Sequence, residues 1–260
     1  MYLFFHERYV FLPWIIFMGY SFLSCMRRRG GSVDSREHLA EELADRLHEG
    51  QIIGVGTGTT VEAVLKKMKH RISQDGVSDV QFVPTSYQSA WCLHDLGLPV
   101  TSPATSAMLD WGFDGADEVD SELRLLKGRG AAMLHEKLIA ARCASLFIVV
   151  DESKLVTQLG SKMSVPVEVI PEARFSVEQE LRSLGAQEVC LRLAVALERQ
   201  VPLFTQEGNL ILDARFDSIS QDCEMRINAV PGVVENGIFS SYATEVLVAR
   251  DAGVEILTAQ

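Results

Sequence analysis

Gln51–Lys69 reads QIIGVGTGTTVEAVLKKMK. Gln51 to Val55 is a short apolar run of strand character that passes directly into Gly56-Thr57-Gly58-Thr59-Thr60. From Val61 onward the apolar residues Val61, Val64, Leu65 and Met68 recur at helical spacing. Strand, glycine-rich turn and helix form the first half of a parallel α/β unit. The turn completes neither common nucleotide fingerprint. A dinucleotide loop starting at Gly56 needs glycine where Val61 stands, and a triphosphate loop needs a Gly-Lys-Ser/Thr ending. Two readings stay open: backbone amides at a helix N-terminus with the hydroxyls of Thr57, Thr59 and Thr60 suit a single terminal phosphate, and a tight turn with threonine caps uses the same residues.

The pattern continues on both sides of this unit. Upstream, Ser35–His48 opens on a serine cap candidate, repeats Leu39, Leu43 and Leu47 at helical spacing, and stops before Gly50. Downstream, strands are expected at Asp79–Val83, Leu98–Val100 and Ala107–Phe113, with a helix over Tyr87–Leu96. The strand ending at Phe113 delivers Asp114–Glu136, DGADEVDSELRLLKGRGAAMLHE, where ligands sit in open α/β sheets, at a strand's C-terminal end. Asp114 and Asp117 occupy a glycine-containing turn, and Lys127 precedes Gly128-Arg129-Gly130. A helix is expected from about Ala131 to Ala144. Within it Ala132, Glu136, Ile139 and Cys143 fall on one face, so Glu136 interrupts an apolar stripe. Desolvation there raises a carboxyl pKa toward the working range of a general base; an ordinary helical glutamate paired with a cation fits the same spacing. The acids Asp114, Asp117, Glu118, Asp120 and Glu122 lack the calcium-loop pattern. They read as a solvated acidic turn, a magnesium site, or carboxylates facing substrate or the cations Lys127 and Arg129. Leu146–Val150 is a dense apolar strand followed by Asp151-Glu152-Ser153-Lys154, which sets a second cation, Lys154, at a strand's C-terminal end; a solvated surface lysine is the plain alternative.

Beyond Ser161 the strict strand–helix alternation ends. Pro166–Pro171 reads as a strand and Ser176–Leu184 as a helix. Glu188–Leu193 and Leu203–Leu212 read as strands, the second with Gly208-Asn209 as a turn, and Ser218–Ile227 as a helix. Asn228–Val234 reads as the crossing back to the first sheet, which Gly237–Arg250 and Val254–Leu257 rejoin. The expected architecture is therefore α/β: a Rossmann-like open-sheet domain with a second, smaller α+β (ferredoxin-like) domain inserted before the C-terminal return. The expected division is an apolar extension at 1–33, a catalytic domain at 34–162, a small lid or oligomerisation domain at 163–233, and the return at 234–260.

The formal net charge of −11, with no basic stripe to offset it, argues against a nucleic-acid partner. Five scattered cysteines without C-x-x-C spacing point to a reducing compartment. Tyr9–Cys25 is uncharged and apolar but contains Pro13 and is short of the about 20 residues of a membrane span. Its arginines, Arg27 to Arg29, follow the apolar run, whereas a secretory signal carries charge before it. The expectation is an upstream extension with Met26 as the start, a membrane anchor being the alternative, and no membrane contact for the folded part.

Taken in order, VGTGTT at Val55–Thr60, DGADE at Asp114–Glu118, KGRGAAMLHEK at Lys127–Lys137, DESK at Asp151–Lys154, PVEVIP at Pro166–Pro171, GNLILD at Gly208–Asp213 and PGVVENGIF at Pro231–Phe239 resemble the type A ribose-5-phosphate isomerase family, over about Ser35 to Leu257. The resemblance implies a cofactor-free, metal-free aldose–ketose isomerase of the non-oxidative pentose phosphate pathway. It would interconvert ribose 5-phosphate and ribulose 5-phosphate through an enediolate. It implies Glu136 as the base moving the proton between C1 and C2, and Asp114 or Asp117 for ring opening and the hydroxyl proton. Lys127, with the Gly128 and Gly130 amides, would stabilise the oxyanion. Thr57, Gly58, Thr59 and Thr60 would hold phosphate, with Gly115, Ala116, Arg129 and Lys154 completing the substrate contacts. It also implies a cytoplasmic homodimer or homotetramer. Two positions depart from the family pattern. Arg129 stands where a third glycine is common, free to touch substrate or to pair with Glu118 or Glu122. Arg36 is the nearest counterpart of a phosphate-holding lysine of the first helix. The rival readings are a sugar-phosphate sensor without turnover, which would be expected to carry a DNA-binding module, and another phosphosugar isomerase or deaminase on a related fold.

Overall fold

The structure, a computed structural model, describes residues 33–105, 108–196 and 198–258. The expected extension, with Tyr9–Cys25 and Met26, lies outside these residues. The first layer opens with α1 (Val33–Ala44), β1 (Ile52–Val55), α2 (Thr59–Gln74), β2 (Gln81–Pro84), α3 (Tyr87–Asp95) and β3 (Trp111–Asp114). Two short strands, β4 (Glu118–Val119) and β5 (Leu125–Leu126), then lead to α4 (Met133–Ala140) and β6 (Leu146–Asp151). The second layer comprises β7 (Val165–Val169), α5 (Arg174–Ser183), β8 (Ala186–Leu191), β9 (Leu193–Ala196), β10 (Arg199–Pro202), β11 (Leu210–Phe216), α6 (Cys223–Asn228) and β12 (Val233–Asn236). The chain returns through β13 (Ile238–Phe239), β14 (Glu245–Arg250) and β15 (Gly253–Thr258).

The large sheet has the order β15-β14-β6-β3-β1-β2, parallel throughout except for the β14–β15 edge hairpin. Strand order reverses at β1: β2 lies on one side of it and β3 on the other. The open crevice of such a sheet therefore falls at the C-terminal ends of β1 and β3. Leu39, Leu43 and Leu47 of the first helical stretch are fully buried beneath this sheet together with Val61, Val64, Leu65 and Met68 of α2. The smaller antiparallel sheet runs β12-β7-β11-β8. With α5 and α6 between its strands this is a βαββαβ ferredoxin-like arrangement, its core built on Val167, Val169, Val177, Leu181 and Leu212. The open α/β sheet with an inserted α+β layer agrees with the fold read from sequence.

Several local expectations shift. The first helix begins at Val33, so Ser35 lies inside it rather than capping it. Leu98–Val100 contributes a single bridge, Val100 to Phe82. Regular pairing in β3 starts only at Trp111. The helix expected to reach Ala144 ends at Ala140, because the backbone of Arg142 and Ala144 turns to bond Leu109 (Leu109 N–H to Arg142 O 3.0 Å; Ala144 N–H to Leu109 O 2.9 Å). The helix expected from Ser218 forms only over Cys223–Asn228. Strand β11 starts at Leu210, with Phe204 reduced to one bridge. Val233 and Val234 belong to the smaller sheet, so the crossing back begins at Gly237.

Candidate active site

The glycine turn after β1 closes against β3 through Asp114. Asp114 Oδ1 accepts the Thr57 amide at 3.1 Å and the Gly115 amide at 2.7 Å. A Cβ on Gly56 would stand 2.1 Å from Asp114 Cγ, so the carboxylate occupies the space a side chain would fill. The Thr57 hydroxyl is engaged by Thr85 Oγ1 at 3.1 Å and Ser86 Oγ at 2.7 Å. The next amides are left open. Gly58 is the N-cap of α2 and supplies no capping side chain, so the first-turn N–H groups and the positive end of the helix dipole face the cavity.

Opposite lies α4. It packs close to the sheet because Gly54 and Gly112 have no side chains; a Cβ at either would come 2.6 Å from Ile139 Cγ2 or Cys143 Sγ, respectively. Glu136 on this helix is 6% exposed, Lys127 4% and Asp114 5%. The Lys127 ammonium lies 2.9 Å from Asp114 Oδ2 and 3.2 Å from Glu136 Oε2, and donates to the Gly115 carbonyl. Phe239 covers it from behind, the ring centroid 5.6 Å away. Burial works against the Lys127 charge, but the neighbouring carboxylates Asp114 and Glu136 outweigh it and hold the pKa above the ordinary lysine range. Glu136 is pushed up to about 7, chiefly by burial. The negative charges of Asp114 and Asp117 add to the rise and Lys127 opposes it.

These groups line one cavity of about 520 Å³. Of the sequence-predicted site residues, all but Asp114 and Arg36 line it: Thr57, Gly58, Thr59, Thr60, Gly115, Ala116, Asp117, Lys127, Gly128, Arg129, Gly130, Glu136 and Lys154. Asp114 sits directly behind, touching Lys127. Asp117 accepts the Arg129 amide at 3.2 Å. The remaining acids of the turn go elsewhere. Glu118 is buried and accepts the amides of Gly160, Lys162 and Met163 at 2.6–2.7 Å. Asp120 pairs with Arg124, and Glu122 lies beside Arg124 and Gln221. Arg129 therefore does not take Glu118 or Glu122 as its partner. Arg36 does not line the cavity. Five wall positions escaped the sequence reading as site residues: Val61, Gln88, Val149, Val150 and Asp151. Asp151 adjoins Lys154 at the end of β6 and Gln88 lies in the first turn after β2, so both follow from the rule that places ligands at the strand ends. Among the described residues, no group of three or more His, Cys, Asp or Glu side chains is placed to hold a metal, and no helix is long and apolar enough to cross a membrane.

With the geometry in view, the chain can be set against known proteins. The family model for ribose 5-phosphate isomerase A (phosphoriboisomerase A) matches residues 81–253. A ribose-5-phosphate isomerase A from Pyrococcus abyssi is 40% identical over 226 residues, covering 86% of this chain and 97% of that one. This chain belongs to the ribose 5-phosphate isomerase A family. Among solved structures, ribose 5-phosphate isomerase A from Methanocaldococcus jannaschii superposes with a TM-score of 0.81 at 34% identity, covering 86% of this chain and 98% of that one. A D-ribose-5-phosphate isomerase in complex with phospho-erythronic acid gives the same TM-score at 37% identity and the same coverage.

Proposed function

We propose that the protein interconverts D-ribose 5-phosphate and D-ribulose 5-phosphate. The single observation that carries this reading is a desolvated carboxylate, Glu136, and a buried ammonium, Lys127, across a small cleft from an uncapped helix N-terminus. Phosphate binds the amides of Gly58, Thr59 and Thr60 with their threonine hydroxyls. Asp114 or Asp117 passes the hydroxyl proton as the ring opens. Glu136 takes the proton from one carbon of the C1–C2 pair and returns it to the other. As the carbonyl oxygen becomes an enediolate oxygen, Lys127 and the Gly128 and Gly130 amides meet the charge. Neither of those two amides has a hydrogen-bond partner among the described residues, which supports the assignment. Lys154 and Arg129 add positive potential at the rim. Catalysis by a base with pKa near the working pH fits the raised pKa of Glu136.

We read the smaller layer as a lid and oligomerisation element. Its exposed apolar side chains Leu193, Val195 and Phe204 support a homodimer or homotetramer, and the free thiols of Cys92, Cys143, Cys190 and Cys223 among the described residues support a cytoplasmic setting.

The deciding experiment is conversion of ribose 5-phosphate to ribulose 5-phosphate with a chelator present, together with deuterium incorporation at C2 in deuterated water. Turnover and exchange are both expected. Binding without exchange would establish a sensor instead.

A further inference from the structure

Arg192 belongs to the smaller layer, between β8 and β9, yet its guanidinium reaches the loop after Lys127. Nη1 donates to the Gly128 carbonyl at 2.7 Å and the Arg129 carbonyl at 3.3 Å. Nε donates to Asp213 Oδ2 at 2.9 Å, and Nη2 to Asp213 Oδ1, a two-point grip that fixes the plane of the fork. The backbone of Arg192 is itself pinned, its N–H to Ile211 O at 2.8 Å and its carbonyl to the Leu203 N–H at 3.0 Å. The loop it holds turns through Gly128 at φ +98°, which glycine adopts freely, and carries strain at Ala131, a non-glycine residue at φ +58°.

We propose that Arg192, oriented by Asp213, is a positioning residue for the proton-transfer site. It acts by holding the Gly128 and Arg129 carbonyls away from the cleft. The peptide unit is planar and trans, so a fixed carbonyl fixes the N–H on its opposite side. Holding Gly128 O aims the Arg129 N–H, and that N–H is the group bonded to Asp117 Oδ2. Holding Arg129 O aims the Gly130 N–H, which lines the cleft and has no partner among the described residues. One guanidinium thereby sets an aspartate and an oxyanion donor together. Arg192 is not among the residues lining the cavity, so its effect passes through the loop. The inference rests on the isomerase reading of the site.

The test is steady-state kinetics of Arg192→Met, Arg192→Lys, Asp213→Asn and Glu136→Gln, with inorganic phosphate as a competitive probe of the phosphate grip. Misplacing catalytic groups by about 1 Å costs up to about 100-fold, so Arg192→Met should lose about 10- to 100-fold in kcat. Its KM and its inhibition constant for phosphate should change less than about threefold. Lysine cannot reach two carbonyls and Asp213 together and should restore little. Asp213→Asn, which keeps the guanidinium but loosens its grip, should lose a smaller part of kcat. Unchanged kcat in Arg192→Met, or a change in KM alone, overturns the proposal. Should Arg192→Met fail to fold, full kcat in Asp213→Asn overturns it equally. Full activity in Glu136→Gln would instead remove the underlying site assignment, whatever Arg192 does.

Discussion

Glu136 Oε2 lies 3.2 Å from Lys127 Nζ, both groups buried, an ion pair whose geometry falls short of a well-aligned hydrogen bond. The two groups are close enough to share a field but are not locked into a saturated pair. Asp114 and the Gly115 carbonyl take the ammonium hydrogens instead. Oε2 is itself closed off from solvent, and Lys127 keeps its charge.

Glu136→Gln removes the proposed base while keeping shape. General-base catalysis is typically worth about 10²–10⁴-fold, so turnover should fall at least 100-fold. Binding of ribose 5-phosphate, measured by calorimetry, should persist. Near-wild-type turnover would eliminate Glu136 as the base.

The acid limb of kcat/KM should have its midpoint near pH 7, because the proposed base, Glu136, acts in its deprotonated form and its pKa is pushed up to about 7. The stability sign follows from the same shift. Between about 4.5, the ordinary value, and about 7, the native state keeps a proton that the unfolded chain has released. The contribution of Glu136 to stability is therefore full below pH 4.5 and lost as pH rises through 7. Denaturant titrations across this range should show Glu136→Gln with a flatter pH dependence; an unchanged slope would contradict the shift.

The threonines of the phosphate turn should separate. Thr57→Ala cuts hydroxyl contacts to Thr85 and Ser86, so it should lower unfolding free energy by about 1 kcal/mol. Thr59→Ala or Thr60→Ala should instead weaken substrate affinity by about 1–2 kcal/mol with little effect on stability. Urea melts and KM values for the three variants check the split.

Gly56→Ala should be nearly inactive. Its Cβ would overlap the Asp114 carboxylate, which must then leave Lys127 and the Thr57 amide. A crystal structure and an activity assay of this variant would show whether Asp114 has moved; full activity would mean the turn can relax.

Lys137, next to the base, is buried between Glu224 and Glu235, each at 2.7 Å, and donates to Asn236 O at 2.9 Å. It ties α4 to the smaller layer. Lys137→Met strands two carboxylates and should cost about 3–5 kcal/mol in urea unfolding. Adding Glu235→Gln should recover part of that loss. A stability change within error would show that the network relaxes freely.

Much of this site could be read before folding. The turn after β1, the acids after β3, the lysine before Gly128 and the glutamate on the apolar face of α4 all announce themselves by local spacing. Backbone periodicity and glycine placement are local properties, so the sheet with its strand-end crevice and most of its lining were legible. Resemblance to a family then chose Glu136 over the plain reading of a paired helical glutamate. Tertiary closure decided what local spacing leaves open: which acids of the DGADE turn face the cleft, where α4 stops, and that a guanidinium from Arg192 grips the Gly128 carbonyl 64 residues away. Glu118 and Asp117 are neighbours in the chain, yet one anchors the loop at 160–163 and the other faces the cleft. Their environments are built by segments brought together only when the two sheets close, and a carboxylate's solvation and pKa belong to that surrounding, not to its place in the chain.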